Sequence, residues 1–439
     1  MKSSLTLSIA PFKLKCKNAS LLSQQSVLGD TVMKLPTKRI CVFIMLLLLT
    51  GSTGCQKESS VSSAGIKVGA LFPLSGDLKD KGTDSANGVR LAAEEINNAG
   101  GITSLNGAKL EIIFADTKGK PEVGAKETER LIKEEGVVAL IGTYQSSVTK
   151  PASQVAERLE TPFIVSISIA DIITERGFRH TFRIQPKATF YARDQIQFIK
   201  DLEKLAGFSV KRVALLHENT DFGTSTALAQ KSALRKHGLE VVSDIGYKSE
   251  GVTDLQKEVN QSLAAKPDVI LTVTYLMDSI LIRRALIKSG AAVPMVDTAG
   301  GTVSPEYIQV LGPLADGTLT MAEYSKFAAG GRELNERFHA RFSTDITGDS
   351  AHAYQAVLVL KDALERSGSP DKDKLRQAIA DTDIHKGPQL VLPAEQLRFD
   401  KNGQNEFAHL YVMQIQNGEL APVWPVQYAT AKVKFKGSN

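Results

Sequence analysis

IGTYQSSVTKPAS, residues 141–153, decides the kind of fold this chain adopts. Just before it, Val137-Val138-Ala139-Leu140-Ile141 is an unbroken apolar run that stops at Gly142. A short run without alternation reads as a strand buried on both faces, as in a parallel sheet. Thr143, Tyr144, Gln145, Ser146 and Ser147 then form a hydroxyl- and amide-bearing turn, after which a helical pattern begins. The first N–H groups of a helix lack internal partners, and its dipole favours negative charge at that end. Such a corner takes anionic groups. In open α/β sheets the ligand crevice lies at these carboxyl strand ends. Read alone, Ser146 and Ser147 serve equally well as plain helix caps.

Outward from that corner the same rhythm repeats. Strands at Ile66–Phe72, Lys109–Ala115 and Phe163–Ile167 alternate with helices at Asp84–Asn97 and Glu122–Glu135. After Phe182–Ile184 it restarts. Strands Arg212–Leu216, Glu240–Ile245, Val269–Val273, Val293–Val296 and Thr318–Met321 are interleaved with helices Phe190–Leu205, Thr224–His237, Asp254–Ala265 and Asp278–Ser289. Alternating βα units predict parallel sheets covered by helices on both faces, and two such series predict two lobes. Beyond Glu323 come three helical stretches, Gly331–Phe342, Ala351–Arg366 and Asp371–Ala380, then a β-rich Leu397–Ile415.

The net charge of +5 over 439 residues misleads if read globally. Residues 1–55 hold seven Lys/Arg and one acid, which leaves 46 basic against 47 acidic residues in the remainder. A near-neutral body gives no electrostatic footprint for nucleic acid. The basic excess belongs to a targeting segment. Lys34, Lys38 and Arg39 precede the ten-residue apolar run Ile40–Leu49, and Thr50-Gly51-Ser52-Thr53-Gly54-Cys55 follows. That is a signal segment, too short to span a membrane comfortably. Its end is similar to a bacterial lipobox, which implies lipidation at Cys55; Ser52 departs from the leucine usual at its position. Met33 stands where such a signal would start. All three cysteines (Cys16, Cys41, Cys55) lie in this segment, so the body must rely on its hydrophobic core rather than on disulfides. Residues 56–65 read as a Ser-rich tether.

Enzyme signatures are missing: no GxGxxG after a strand, no P-loop, no GxSxG elbow and no HExxH. The seven histidines are scattered without metal-ligand spacing. Neither catalysis nor a cofactor is expected.

As a whole the chain resembles the periplasmic ligand-binding proteins of the branched-chain amino-acid (Leu/Ile/Val) type, the extracellular receptor family that feeds ABC importers. The likeness runs from Ile66 to about Pro425 and rests on IKVGALFPLSG (66–76), GVRLAAEEINNAGGI (88–102), GTYQSSVTKPAS (142–153), ITERG (173–177) and DFG (221–223), in that order and spacing. It implies an α/β fold of two doubly wound parallel-sheet lobes joined by a three-strand hinge, the type I periplasmic binding protein fold. The first lobe would comprise 66–183 and 324–405, the second 184–323 and 406–425, with 426–439 a basic tail beyond the resemblance.

The resemblance places Ser146 where the family holds the ligand carboxylate, beside Tyr144, and Ser166 to Ala170 where it contacts the head group. Within that segment Ile169 replaces a hydroxyl, which makes Ser168 the nearest substitute, with Ser166 beside it. Tyr275 and Phe222 would supply the second lobe's aromatic wall; the rival role for Tyr275 is packing at the lobe edge. Where the family pairs an acid with the ligand ammonium, this chain has Ala299-Gly300, and Gly300 stays a lining candidate. A buried ammonium without a counter-charge is costly. Asp297 or Asp349 would have to take over, or the ligand has no ammonium; Asp349 also reads as a helix N-cap. Lys81 falls at an aromatic position on the mouth of the first lobe, where a cation suits an anionic ligand, or it is a solvated lysine of a loop.

Two functions of different class follow. One is a lipid-anchored, monomeric substrate-binding protein that closes on an amino acid or related organic acid and hands it to an inner-membrane ABC permease. The other is an envelope lipoprotein or sensor that uses the same fold for protein contacts.

Overall fold

The computed structural model describes residues 65–328, 330–390 and 393–435; the signal segment, Cys55 and residues 436–439 lie outside them. Five strands form the first sheet: β1 (Ile66–Phe72), β2 (Leu110–Asp116), β3 (Ala139–Gly142), β4 (Phe163–Val165) and β5 (Thr181–Arg183). They run in the order β2-β1-β3-β4-β5, every neighbouring pair parallel. The second sheet takes up β6 (Arg212–Glu218), β7 (Glu240–Tyr247), β8 (Val269–Val273), β9 (Met295–Asp297) and β10 (Leu319–Ala322). A two-residue ribbon, β11 (Asp383–Ile384) with β12 (Leu397–Arg398), precedes β13 (Tyr411–Gln416) and β14 (Glu419–Trp424), which complete the second sheet. Its order is β14-β13-β10-β9-β8-β6-β7, with β13 antiparallel to both β10 and β14.

Helices cover both faces of each sheet. The first lobe carries α1 (Lys79–Asn98), α2 (Pro121–Lys133) and α3 (Ser146–Arg158). The second carries α4 (Ala188–Ala206), α5 (Asp221–Lys236), α6 (Gln256–Ala264), α7 (Leu276–Lys288) and α8 (Pro305–Leu311). The chain then returns through α9 (Gly331–Phe342), α10 (Gly348–Ser367) and α11 (Lys372–Ala380), whose core residues join the first lobe. Alternation along β1 shows the layering. Val68, Ala70 and Phe72 enter the core under α1 and α10, whereas Leu71 meets Leu131 and Ala152 of α2 and α3. Helix α10 lies so close to α1 that a Cβ on Gly88 would come within 2.1 Å of the Ser350 carbonyl oxygen. The polypeptide crosses between sheets three times: after β5, after β10 and before β13.

Two expectations need correction. Helix α1 begins at Lys79, not Asp84, so Lys81 is a helical residue and not a loop one. Gly82 weakens the helical signal there, yet glycine is required: its Cβ would lie 1.9 Å from the Pro73 carbonyl oxygen. Strand β14 was hidden by Pro422, which an edge strand tolerates. The basic segment after Pro425 packs on the second lobe as far as Phe435. Lys434 N–H donates to Gln414 Oε1 at 2.9 Å, and the Phe435 ring stacks 4.5 Å from Phe208.

Candidate functional site

Nine of the thirteen residues on the wall of the crevice between the lobes sit just past the carboxyl end of a strand. Tyr144 follows β3, Ile167 to Ile169 follow β4, Gln185 follows β5, Tyr275 follows β8, Ala299 and Gly300 follow β9, and Glu323 follows β10. Ser146, Tyr191, Phe222 and Asp349 come from the first turns of α3, α4, α5 and α10. The crevice holds about 380 Å³ of non-atom space, part of it open to solvent. The lobes meet over it: Tyr144 and Tyr275 ring centroids are 6.4 Å apart, and those of Phe222 and Tyr275 are 5.4 Å apart. Asp171 N–H donates to Ser225 Oγ at 3.1 Å, and Lys150 Nζ lies 3.1 Å from Asp221 Oδ1.

Part of the crevice wall supplies donors. Ser146 is the first residue of α3, and its Oγ accepts the Ala170 N–H at 3.2 Å, which leaves its own proton free for a guest. The amides of Ser146, Ser147 and Ser168 find no acceptor among the described residues. These are the orphan donors of a helix N-terminus, with the positive end of the dipole behind them. Ser168 lines the wall, but its hydroxyl is engaged by Thr149 Oγ1 and donates to the Tyr144 carbonyl at 3.0 Å. What it offers is its backbone. Ser166 stands apart: it is fully buried, off the cavity wall, and its Oγ has no partner.

Other residues of the wall supply acceptors. Asp349 Oδ2 and Gln185 Oε1 are buried without a hydrogen-bond partner, and Glu323 shares the wall with them. Gln185 Nε2 and Tyr191 Oη both donate to Glu323 Oε1, the former at 3.1 Å. Burial pushes the Asp349 carboxyl up to about 7; Lys81 pulls it down and Glu323 pushes it further up. Burial likewise raises Glu323, and it raises the phenols of Tyr144, Tyr191 and Tyr275 well above their usual value. Asp349 does not cap its helix. Thr347 does, accepting the Ser350 N–H, and Asp349 is left to face the crevice.

Lys81 also lies off the cavity wall. It is buried in the first turn of α1, and its charge draws down the carboxyls of Asp84, Glu306, Glu323 and Asp349. From there its charge acts on the acid cluster. Asp297 is equally out of reach, fully buried in β9 where it accepts from the hydroxyls of Thr272, Thr274 and Thr302. At Gly300 the backbone itself rules out a side chain: φ is +73°, and a Cβ would lie 2.5 Å from the Thr274 carbonyl oxygen. Gln185, Tyr191 and Glu323 escaped sequence reasoning. They lie at or just beyond crossovers, where no local pattern marks them.

Among the described residues no group of His, Cys, Asp and Glu is arranged to hold a metal ion, and no helix is long and apolar enough to cross a membrane.

Comparisons with known proteins return periplasmic binding proteins. The sequence profile of the periplasmic binding proteins matches residues 65–419. The Leu/Ile/Val-binding protein homolog 8 of Brucella abortus is 32% identical over 406 residues, spanning 89% of this chain and 98% of that protein. The branched-chain amino acid transporter substrate-binding protein LivJ of Streptococcus pneumoniae, solved with isoleucine, superposes with a TM-score of 0.71 at 23% identity, covering 81% of this chain and 97% of that one. A solute-binding protein of R. palustris, solved with benzoate, gives 0.71 at 19% identity, with 85% and 99% covered. The chain therefore belongs to the periplasmic binding protein family, in its branched-chain amino-acid type, a family of solute-binding proteins for transport.

Proposed function

We propose that this chain is the lipid-anchored substrate-binding protein of an ABC importer and that it closes on a small amino acid. The observation that carries this reading is the polarity of the crevice. The wall offers both the unpaired donors of the α3 N-terminus and the unpaired acceptors of Asp349 and Gln185. A carboxylate suits the first and an ammonium the second, with Asp349 standing in for the acid that position 300 cannot carry. Phe222, Tyr275, Ile167 and Ile169 leave an apolar wall for the ligand side chain. The relative's Leu/Ile/Val-binding name and the isoleucine seen in LivJ point the same way. No step of bond chemistry is required. Contacts from both lobes favour the closed state, and affinity scales with the fraction of protein able to close. Cys55 would tie the chain to the membrane beside its permease, and the protein would act as a monomer.

The test is a thermal-shift screen on refolded, ligand-stripped protein against the common amino acids and a panel of aliphatic and aromatic acids. A ligand at a hundredfold excess over its Kd stabilises by about 2.7 kcal/mol. A shift with amino acids that disappears in Asp349→Asn is expected. A shift confined to ammonium-free acids would overturn the amino-acid assignment, and no shift across the panel would overturn the transport reading. For the anchor, Cys55→Ser should move the protein from the membrane to the soluble fraction of producing cells and abolish incorporation of labelled palmitate.

A further inference from the structure

Arg183 ends β5 with its side chain fully buried, the largest side chain so enclosed among the described residues. A buried cation is costly unless a carboxylate meets it. None does here. Its Nε donates to Gln404 Oε1 at 2.6 Å, Nη1 to the carbonyl oxygens of Ala170 at 2.7 Å and Ser168 at 3.3 Å, and Nη2 to Thr174 Oγ1 at 2.8 Å. Every one of these acceptors is neutral. Asp171, Glu175 and Asp400 act on it only from a distance, and burial lowers the guanidinium to about 10.

The carbonyls it grips belong to the loop behind the donor-bearing part of the crevice wall. Ser168 N–H, which has no acceptor among the described residues, and Ala170 N–H, which holds Ser146 Oγ, are both set by that loop. The same arginine sits where two crossovers run side by side. Arg183 N–H donates to the Gly403 carbonyl at 2.7 Å, its own carbonyl accepts Asn405 N–H at 2.8 Å, and Gln404 Nε2 reaches the Gln185 carbonyl at 2.8 Å. One side chain thus joins the anion-facing loop to the strands about which the lobes hinge.

We propose that Arg183 is the positioning residue for the ligand's anionic group, fixing the Ser168–Ala170 loop from behind and supplying an unneutralised positive charge that a bound carboxylate completes. The proposal rests on the reading that a carboxylate occupies the α3 N-terminus. The four neutral bonds orient the guanidinium without cancelling its charge, so its field remains available to a guest on the far side of the loop. Arg and Lys are not equivalent in this role, since an ammonium cannot hold Gln404, Ala170 and Thr174 together.

The experiment compares wild type with Arg183→Lys, Arg183→Met and the milder Thr174→Val, using L-leucine and L-leucinamide as probes. The amide keeps the ammonium and side chain but is neutral where leucine is anionic. Affinities are measured by calorimetry and thermal midpoints recorded for each variant. In Arg183→Met the preference for leucine over leucinamide should fall by about tenfold or more. Arg183→Lys should lose a smaller factor, because charge is kept and loop geometry is not. Thr174→Val should weaken leucine by a few fold with little change in midpoint. A merely structural arginine would lower the midpoint and weaken both probes alike, leaving the preference intact, and that result overturns the proposal. If Arg183→Met does not fold, an unchanged preference in Arg183→Lys and Thr174→Val overturns it as well. Wild-type protein that binds neither probe nor any other carboxylate overturns the underlying reading and this proposal together.

Discussion

Lys150 Nζ lies 3.1 Å from Asp221 Oδ1, and that contact ties the first lobe's α3 to the second lobe's α5 at the rim of the crevice. Both helices also feed the site, through Ser146 and Phe222. The pair is more than one-third exposed, so solvent screening holds its contribution to about 0–1 kcal/mol. Its effect falls on the closed state alone. Lys150→Met should therefore weaken ligand binding by roughly two- to fivefold with little change in the stability of either lobe. Raised salt should weaken the wild type by a comparable factor and leave the variant unmoved. Solution scattering of the ligand-free forms would show the variant more open; an unchanged profile together with unchanged affinity would remove the latch role.

Binding should depend on pH through Asp349. Burial pushes its carboxyl up to about 7, facing Lys81 and Asp84 of α1, Glu323 beyond β10 and the Tyr144 phenol. An ammonium needs the ionised form. Below about pH 7 the site is protonated and must give up a proton on binding, so affinity should fall by up to about tenfold per pH unit. Calorimetry at pH 6 in buffers of different ionisation enthalpy should detect release of about one proton. In Asp349→Asn the release should vanish and affinity drop by about 2 kcal/mol or more. Equal affinity at pH 5.5 and 8 would argue against Asp349 as the ammonium anchor.

How much of this could be read from the sequence follows from where each residue sits. Ile66–Phe72, Val269–Val273 and Gly331–Phe342 are found with the expected bounds, because a doubly buried strand is a plain apolar run and a solvent-backed helix keeps its periodicity. The α3 corner announced itself by a strand ending in glycine and a turn of hydroxyls. Glu323 and Gln185 did not. Their meaning comes from Tyr191 and from each other, across 138 residues of chain, and no local pattern encodes that. Lys81 was misplaced because Gly82, needed for close approach to Pro73, breaks the helical signal in the first turn of α1.

The ligand-free protein should be more stable in mild acid than in mild alkali. Asp84, Asp278, Asp297 and Asp349 each have a carboxyl raised by burial to about 7. A raised folded value means the native chain binds more protons than the unfolded one between about pH 4 and 7. The stabilisation is complete below that window and is lost as pH rises through it, with a ceiling of about 1.4 kcal/mol per unit for each group. Asp116 and Asp194 are held below the usual carboxylate range, so they act at lower pH and do not oppose the trend. Urea unfolding should give a lower midpoint at pH 8 than at pH 5, and Asp297→Asn should flatten the slope. Stability that rises with pH across this window would contradict the assignment.

The proposed role of Asp349 as ammonium anchor can also be tested from position 300. Ala299 and Gly300 both have left-handed backbone, with φ of +40° and +73°, and a Cβ at 300 would lie 2.5 Å from the Thr274 carbonyl oxygen. Gly300→Ala should cost about 1–3 kcal/mol through strain and that collision, seen as a lowered thermal midpoint. Ala299→Gly, relieved of strain in the same turn, should leave stability unchanged or raise it by up to about 1 kcal/mol. An acid installed at 300 meets the same collision, so Gly300→Asp should not rescue binding in Asp349→Asn. Rescue there would mean that the turn yields easily and that the loss of an acid at 300 did not force the anchor onto α10.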